Sequence, residues 1–184
     1  MSNIKKLSSS FAILVFLVSI YISTSQVAAT SLNGGGIFTE YCHMRADSLS
    51  GPCLNVYGTE TIENNRPVNV YSYENVQAQK WMSVVDSSTG YSNLQVQLRD
   101  KLGKPYVLEV WTGKTDYYKA DVYEKGAYPQ DAALLVGGWQ DEGIKGSYTV
   151  TLALKPNTPY LYTTGMTNLS SCRWGTNITR WYVF

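Results

Sequence analysis

Apolar and polar residues alternate in short runs along most of this chain. Leu94-Gln95-Val96-Gln97-Leu98 alternates strictly, and so does Tyr148-Thr149-Val150-Thr151-Leu152-Ala153-Leu154. A period of two is the mark of strands with one buried face. Ser50-Gly51-Pro52, Gly103-Lys104-Pro105 and Pro156-Asn157-Thr158-Pro159 separate such runs with turn-forming residues. No stretch carries the 3.6-residue spacing of an amphipathic helix. The one continuous apolar run, Phe11 to Ile22, follows Lys5 and Lys6 and precedes Val27-Ala28-Ala29. Charged, then apolar, then small residues predict a secretory signal peptide over 1–29, cut after Ala29. The run falls short of the roughly 20 residues that cross a bilayer, so no membrane span is expected. Residues 30–184 remain for a single all-β domain.

Internal repetition sharpens the class. Pro52, Pro105 and Pro159 each introduce a short strand: Cys53-Leu54-Asn55-Val56, Tyr106-Val107-Leu108-Glu109-Val110 and Tyr160-Leu161-Tyr162-Thr163. Before them stand Met44, Leu98 and Leu152, 54 residues apart. After them come Val70-Tyr71, Val122-Tyr123 and Arg173-Trp174, and each unit closes at Trp81, near Ala133, or at Trp181. Three four-stranded repeats of about 52 residues cannot each bury an apolar face alone, but about a pseudo-threefold axis they share one core. The expected fold is a β-trefoil. A β-sandwich with accidental spacing is the alternative, and a propeller of at least four blades of about 40 residues does not fit the length.

Composition changes the picture in two ways. Fifteen of the 24 aromatic residues are Tyr, a side chain that buries a ring while keeping a hydroxyl for solvent or ligand. Without its two leader lysines the chain carries 13 basic and 14 acidic residues. A domain so near neutrality lacks the basic footprint of a nucleic-acid or anionic-membrane binder.

The first repeat is the most specific. Cys53-Leu54-Asn55-Val56, Val68-Asn69-Val70-Tyr71 and Gln77-Ala78-Gln79-Lys80-Trp81 together resemble the ricin-type lectin repeat, whose hallmark is a Cys-Leu-Asp-Val-like strand followed by Gln-any-Trp. The resemblance covers about residues 36–184. It implies that Trp81 plugs the core and Gln79 braces a turn. It also implies one shallow sugar pocket per repeat, built from a stacking ring and an acid that accepts from adjacent hydroxyls. The acid position falls on Asn55, Glu109 and Tyr162, and the ring position on Tyr71, Tyr123 and Trp174. The family's Asn beside the hallmark Gln is Ala78 here. The second repeat reads Gln130-Asp131-Ala132-Ala133 without the Trp, and the third Thr179-Arg180-Trp181 without the Gln. Only the second repeat keeps both an acid and a ring, so Glu109 and Tyr123 are its expected weak sugar site, with Glu109 exposed and ionised. Asn55, Tyr71, Gln79 and Trp174 complete the carbohydrate-binding candidates.

Other chemistry is sparse. Three cysteines, Cys42, Cys53 and Cys172, are an odd set for a secreted chain. The family's bridge partner for Cys53 falls on Tyr73 and is lost. Cys42–Cys53 and Cys42–Cys172 bridges both stay open, with one thiol left for a partner chain. Asn168-Leu169-Ser170 and Asn177-Ile178-Thr179 are glycosylation acceptors in a eukaryotic secretory pathway. The lone His43 is read as a solvated or hydrogen-bonded strand residue. Asp141-Glu142, beside Gly137-Gly138-Trp139 in what reads as a linker, does not make a glycosidase pair, and no cofactor or metal cluster is legible. The expectation is a secreted carbohydrate-binding protein, alone or as the targeting subunit of a toxin-like assembly, with glycans as partners and no enzymatic activity. A β-trefoil protein-binding module is the alternative, such as a secreted protease inhibitor presenting Asp86-Ser87-Ser88-Thr89-Gly90 or Lys114.

Overall fold

The computed structural model describes residues 38–58, 61–110, 119–139, 146–155, 157 and 159–184. The expected leader, Lys114 and Asp141-Glu142 lie outside the described residues. Those residues form twelve strands: β1 (Cys42–Ala46), β2 (Cys53–Val56), β3 (Arg66–Tyr71), β4 (Lys80–Val85), β5 (Ser92–Val96), β6 (Tyr106–Val110), β7 (Ala120–Glu124), β8 (Leu134–Trp139), β9 (Gly146–Leu152), β10 (Tyr160–Thr163), β11 (Cys172–Gly175) and β12 (Trp181–Val183). A single 3₁₀ turn, Gln77–Gln79, leads into β4, and no α-helix occurs among the described residues.

Six strands close a ring. β1 pairs with β4, β4 with β5, β5 with β8, β8 with β9, β9 with β12, and β12 returns to β1. The other six form three antiparallel hairpins, β2–β3, β6–β7 and β10–β11. These meet one another through Arg66↔Val122, Asn69↔Ser171 and Lys119↔Arg173. A closed ring capped by three hairpins is the arrangement expected of a β-trefoil.

The pairing register differs from the sequence spacing in three places. Trp81 stands opposite Cys42 and Val96, Trp181 opposite Tyr148 and Ala46, and Leu134 opposite Ser92 and Leu152. Leu134, not Ala133, therefore occupies the Trp position of the second unit. The matching residues of β1, β5 and β9 are then Met44, Leu94 and Val150. The even 54-residue spacing of Met44, Leu98 and Leu152 is a coincidence of composition. Val70, Val122 and Trp174 face Leu54, Leu108 and Leu161 across their hairpins, so the position matching Tyr71 and Tyr123 is Gly175. Gly137, Gly138 and Trp139, read as linker, lie in β8 and pair with Thr149, Tyr148 and Ser147.

One core fills the ring and the inner faces of the hairpins. Met44, Leu54, Trp81, Leu94, Leu108, Leu134, Leu152, Leu161, Trp174 and Trp181 are fully buried. Each buried indole N–H finds a carbonyl: Trp81 donates to Leu54 O (3.0 Å), Trp181 to Leu161 O (3.3 Å) and Trp174 to Glu109 O (3.1 Å). A large ring can be core only when its polar end is satisfied.

Cys42, Cys53 and Cys172 are all buried and no disulfide joins any two of them, which corrects the expected bridge. Cys42 lies opposite Trp81, Cys53 opposite Arg45 and Cys172 opposite Thr163, so no two cysteines are strand neighbours. Burial also removes Cys172 as a handle for a partner chain.

Candidate functional site

Each hairpin carries polar residues on the face opposite its core-facing pair. Cross-strand partners share a face, and here these are Asn55 with Asn69, Glu109 with Asp121, and Tyr162 with Arg173. The three hairpins use them differently.

In the first hairpin the polar pair closes on itself: Asn55 Nδ2 donates to Asn69 Oδ1 at 2.9 Å, and both residues are buried. Tyr71 is half-buried opposite Cys53. Gln79 is fully buried. Its Nε2 donates to Ser72 O (2.7 Å), and its Oε1 accepts from Glu74 N (2.9 Å). Both ends of the amide are spent bracing the β3–β4 connection, so Gln79 is a strut with no surface to offer a sugar. In the third hairpin Trp174 is 1% exposed. Its place on the core face of β11 excludes it as a stacking platform, a correction that follows from the one-residue register. Gly175, at the ring position, makes room for Tyr162, whose ring lies 3.0 Å from where a Cβ would sit.

The second hairpin keeps its chemistry. Tyr123 lies diagonally from Glu109 on the same face, as the sequence suggests, but Glu109 is 4% exposed and Asp121 1%. Among the described residues, Glu109 Oε2 and both Asp121 carboxylate oxygens have no hydrogen-bond partner. Burial pushes the Glu109 carboxyl up to about 8, with the negative charges of Asp121 and Asp131 adding and Lys155 opposing. Burial likewise pushes Asp121 up to about 7 against the pull of Lys119. Glu109 therefore holds its proton at neutral pH, which corrects the expectation of an exposed, ionised acceptor.

The accessible groups lie one layer out. Tyr123 meets Tyr128 edge to face, with centroids 4.9 Å apart at 68°, and Tyr128 is 52% exposed. Tyr128 lines a dent of about 250 Å³ with Ala127, Pro129, Gln130 and Asp131. Backbone bonds hold this turn: Asp131 N (3.0 Å) and Ala132 N (3.3 Å) both donate to Tyr128 O, and Asp131 O accepts from Val110 N (3.3 Å). Lys155 forms an ion pair with the Asp131 carboxylate. With Leu134 aligned to Trp81, Asp131 occupies the place of Ala78, directly before the bracing Gln. Gln130-Asp131-Ala132-Ala133 does not mark this place in the sequence, because without the Trp nothing in the run fixes its register against Gln79-Lys80-Trp81. Tyr128 and Lys155 carry no local signal, because a loop and a later strand end bring them there.

No protein-family model matches the chain, and no curated protein matches it. Among solved structures, a designed threefold-symmetric protein, ThreeFoil, is similar at a TM-score of 0.58 and 20% identity, over 78% of this chain and 96% of that one. A likeness at that identity shows the fold: the chain is all-β and β-trefoil.

Proposed function

We propose that the chain is a secreted, ricin-type β-trefoil lectin of three repeats of about 52 residues, which binds carbohydrate through its second repeat, alone or as the targeting subunit of a larger assembly. The observation that carries the reading is the half-exposed Tyr128 ring, steadied by Tyr123, beside a dent holding Gln130 and the Asp131 carboxylate. A ring supplies apolar area for a sugar face, and directed polar groups discriminate hydroxyls. The family's polar residue before its hallmark Gln has a counterpart in Asp131 alone, since Ala78 and Ile178 stand there in the other repeats. Glu109, buried and protonated, supports the hairpin behind the pocket. Secretion rests on the Lys5-to-Ala29 leader pattern.

A shallow dent predicts millimolar to high-micromolar affinity, raised where several sites act together. The test is a glycan array followed by calorimetry on wild type, Tyr128→Ala and Asp131→Asn. Tyr128→Ala should abolish binding of every sugar the array finds, and Asp131→Asn should weaken it about tenfold or shift the preferred epimer. Glycan binding that neither change alters would remove the second repeat from the function.

One observation favours the protein-binding alternative. Asp86 Oδ1 accepts from Ser88 N (2.9 Å) and Thr89 N (3.1 Å), which stiffens the exposed β4–β5 turn. Capture of a protease with no glycan bound would move the function to that turn.

A further inference from the structure

A second polar cleft lies away from the Tyr128 dent. Ser50, Gly51 and Pro52 of the β1–β2 turn, Ser72 and Tyr73 after β3, Met166 and Asn168 of the β10–β11 turn, and Arg45 of β1 enclose about 240 Å³. On β1 the alternation sends Cys42, Met44 and Ala46 to the core and places His43 and Arg45 on the opposite face, where His43 is itself buried. The Arg45 guanidinium carbon lies 4.5 Å from the Phe184 ring centroid and 5.0 Å from that of Tyr73. His43 stacks on Phe184 at 5.2 Å and meets Tyr73 edge-on at 4.9 Å. Cation–π contact with two rings fixes the plane of a side chain that is otherwise highly mobile.

The guanidinium is held but not neutralised. Nη1 donates to Leu49 O, the Cys53 thiol lies against the Arg45 side chain, Nε is buried with no hydrogen-bond partner among the described residues, and none of the ion pairs among those residues involves Arg45. Burial, then Lys80 and Arg45, lowers the His43 pKa, which disfavours a second positive charge beside the guanidinium. Asn168 Oδ1 fixes one wall by accepting from Ser72 N (2.8 Å) and Ser72 Oγ (2.9 Å). An oriented guanidinium with spare donors is the geometry that recognises a carboxylate in a bidentate fashion. The cleft is larger than a bare carboxylate needs, and Ser50, Ser72 and the 46%-exposed Tyr73 ring offer hydroxyls and an apolar edge to whatever carries it.

We propose that this cleft binds an acidic sugar, its carboxylate on Arg45 and its ring against Tyr73. The site is independent of the Tyr128 dent, so either can fail alone. The probe is sodium glucuronate, followed by calorimetry and ligand-observed NMR at fixed ionic strength, with glucose and sodium sulfate as comparators. Glucuronate should bind wild type in the millimolar range, glucose at least about tenfold more weakly, and sulfate should compete poorly. Arg45→Gln should lose glucuronate, Arg45→Lys should recover part of it, Tyr73→Ala should weaken it, and Tyr128→Ala should leave it unchanged. Tyr73 is surface-exposed, so its variant reports on the site even if Arg45→Gln fails to fold. Sulfate competing as well as glucuronate would reduce the cleft to a bare anion site and overturn the sugar assignment. Glucuronate binding no better than glucose, or binding that survives both Arg45→Gln and Tyr73→Ala, would overturn the site altogether.

Discussion

Burial turns Glu109 from an acceptor into a proton carrier, and that has a measurable consequence. Its folded pKa of about 8 and the value of about 7 for Asp121 both lie far above the unfolded carboxylate range near 4. Between those limits the folded state binds more protons than the unfolded one, so stability falls as pH rises. The contribution is intact below about pH 4 and lost by about pH 8. Thermal melts should therefore show a midpoint declining from pH 5 to pH 8. Glu109→Gln keeps the shape, cannot ionise, and should flatten that decline. At pH 8 it should gain at least about 1.4 kcal/mol, the worth of one pKa unit. A midpoint that is flat in wild type would show that water reaches the pair. At this scale the sequence was partly legible. Glu109 and Tyr123 do share a face, because alternation along a strand is a local rule. Burial of the acid was not legible, because it depends on what packs over the hairpin.

Strands and hairpins were the most legible scale, and their register the least. Pro-introduced strands and alternating runs located β2, β5, β6, β9 and β10, since turn chemistry and period two are written in the chain. Arg173-Trp174 matched Val70-Tyr71 by aromatic content, yet hydrogen bonding sets register, and it aligns Trp174 with Val70. A single-residue slip of that kind exchanges a surface ring for a core one. Trp81→Ala should cost about 3–5 kcal/mol, the usual price of deleting a large buried aromatic, and Trp174→Ala should cost a similar amount without altering sugar recognition. Urea melts on both variants check this. A Trp174 variant that melts like wild type would place that ring back at the surface. Leu134, where the other two units hold Trp, is the element-level reason the second repeat lacked a visible hallmark.

At the scale of the whole molecule, three thiols sit inside one closed structure. Burial pushes Cys53 up to about 11 and raises Cys172 further, so both stay protonated and poor nucleophiles at neutral pH. Native protein should react slowly with a thiol reagent, and denatured, unreduced protein should titrate three thiols. A mobility shift between reducing and non-reducing electrophoresis would contradict the arrangement. Shielding of this kind is compatible with export into an oxidising compartment, because all three thiols are buried. The threefold plan was legible because countable repeats carry global information, whereas the lack of a bridge was not, since cysteine spacing says nothing about which strands become neighbours.

The return of β12 to β1, with Met44 opposite Val183 and Ala46 opposite Trp181, also governs how the protein is made. Until β12 leaves the ribosome, the flank of β1 that it will cover has no partner, and the barrel is a curled sheet with two open edges. Such edges invite pairing with other chains, and closing contacts this distant in sequence makes the final step slow. A nascent chain halted before Trp181 would thus be the aggregation-prone species. A strand made late, β12, thus seals the flank of one made early, β1.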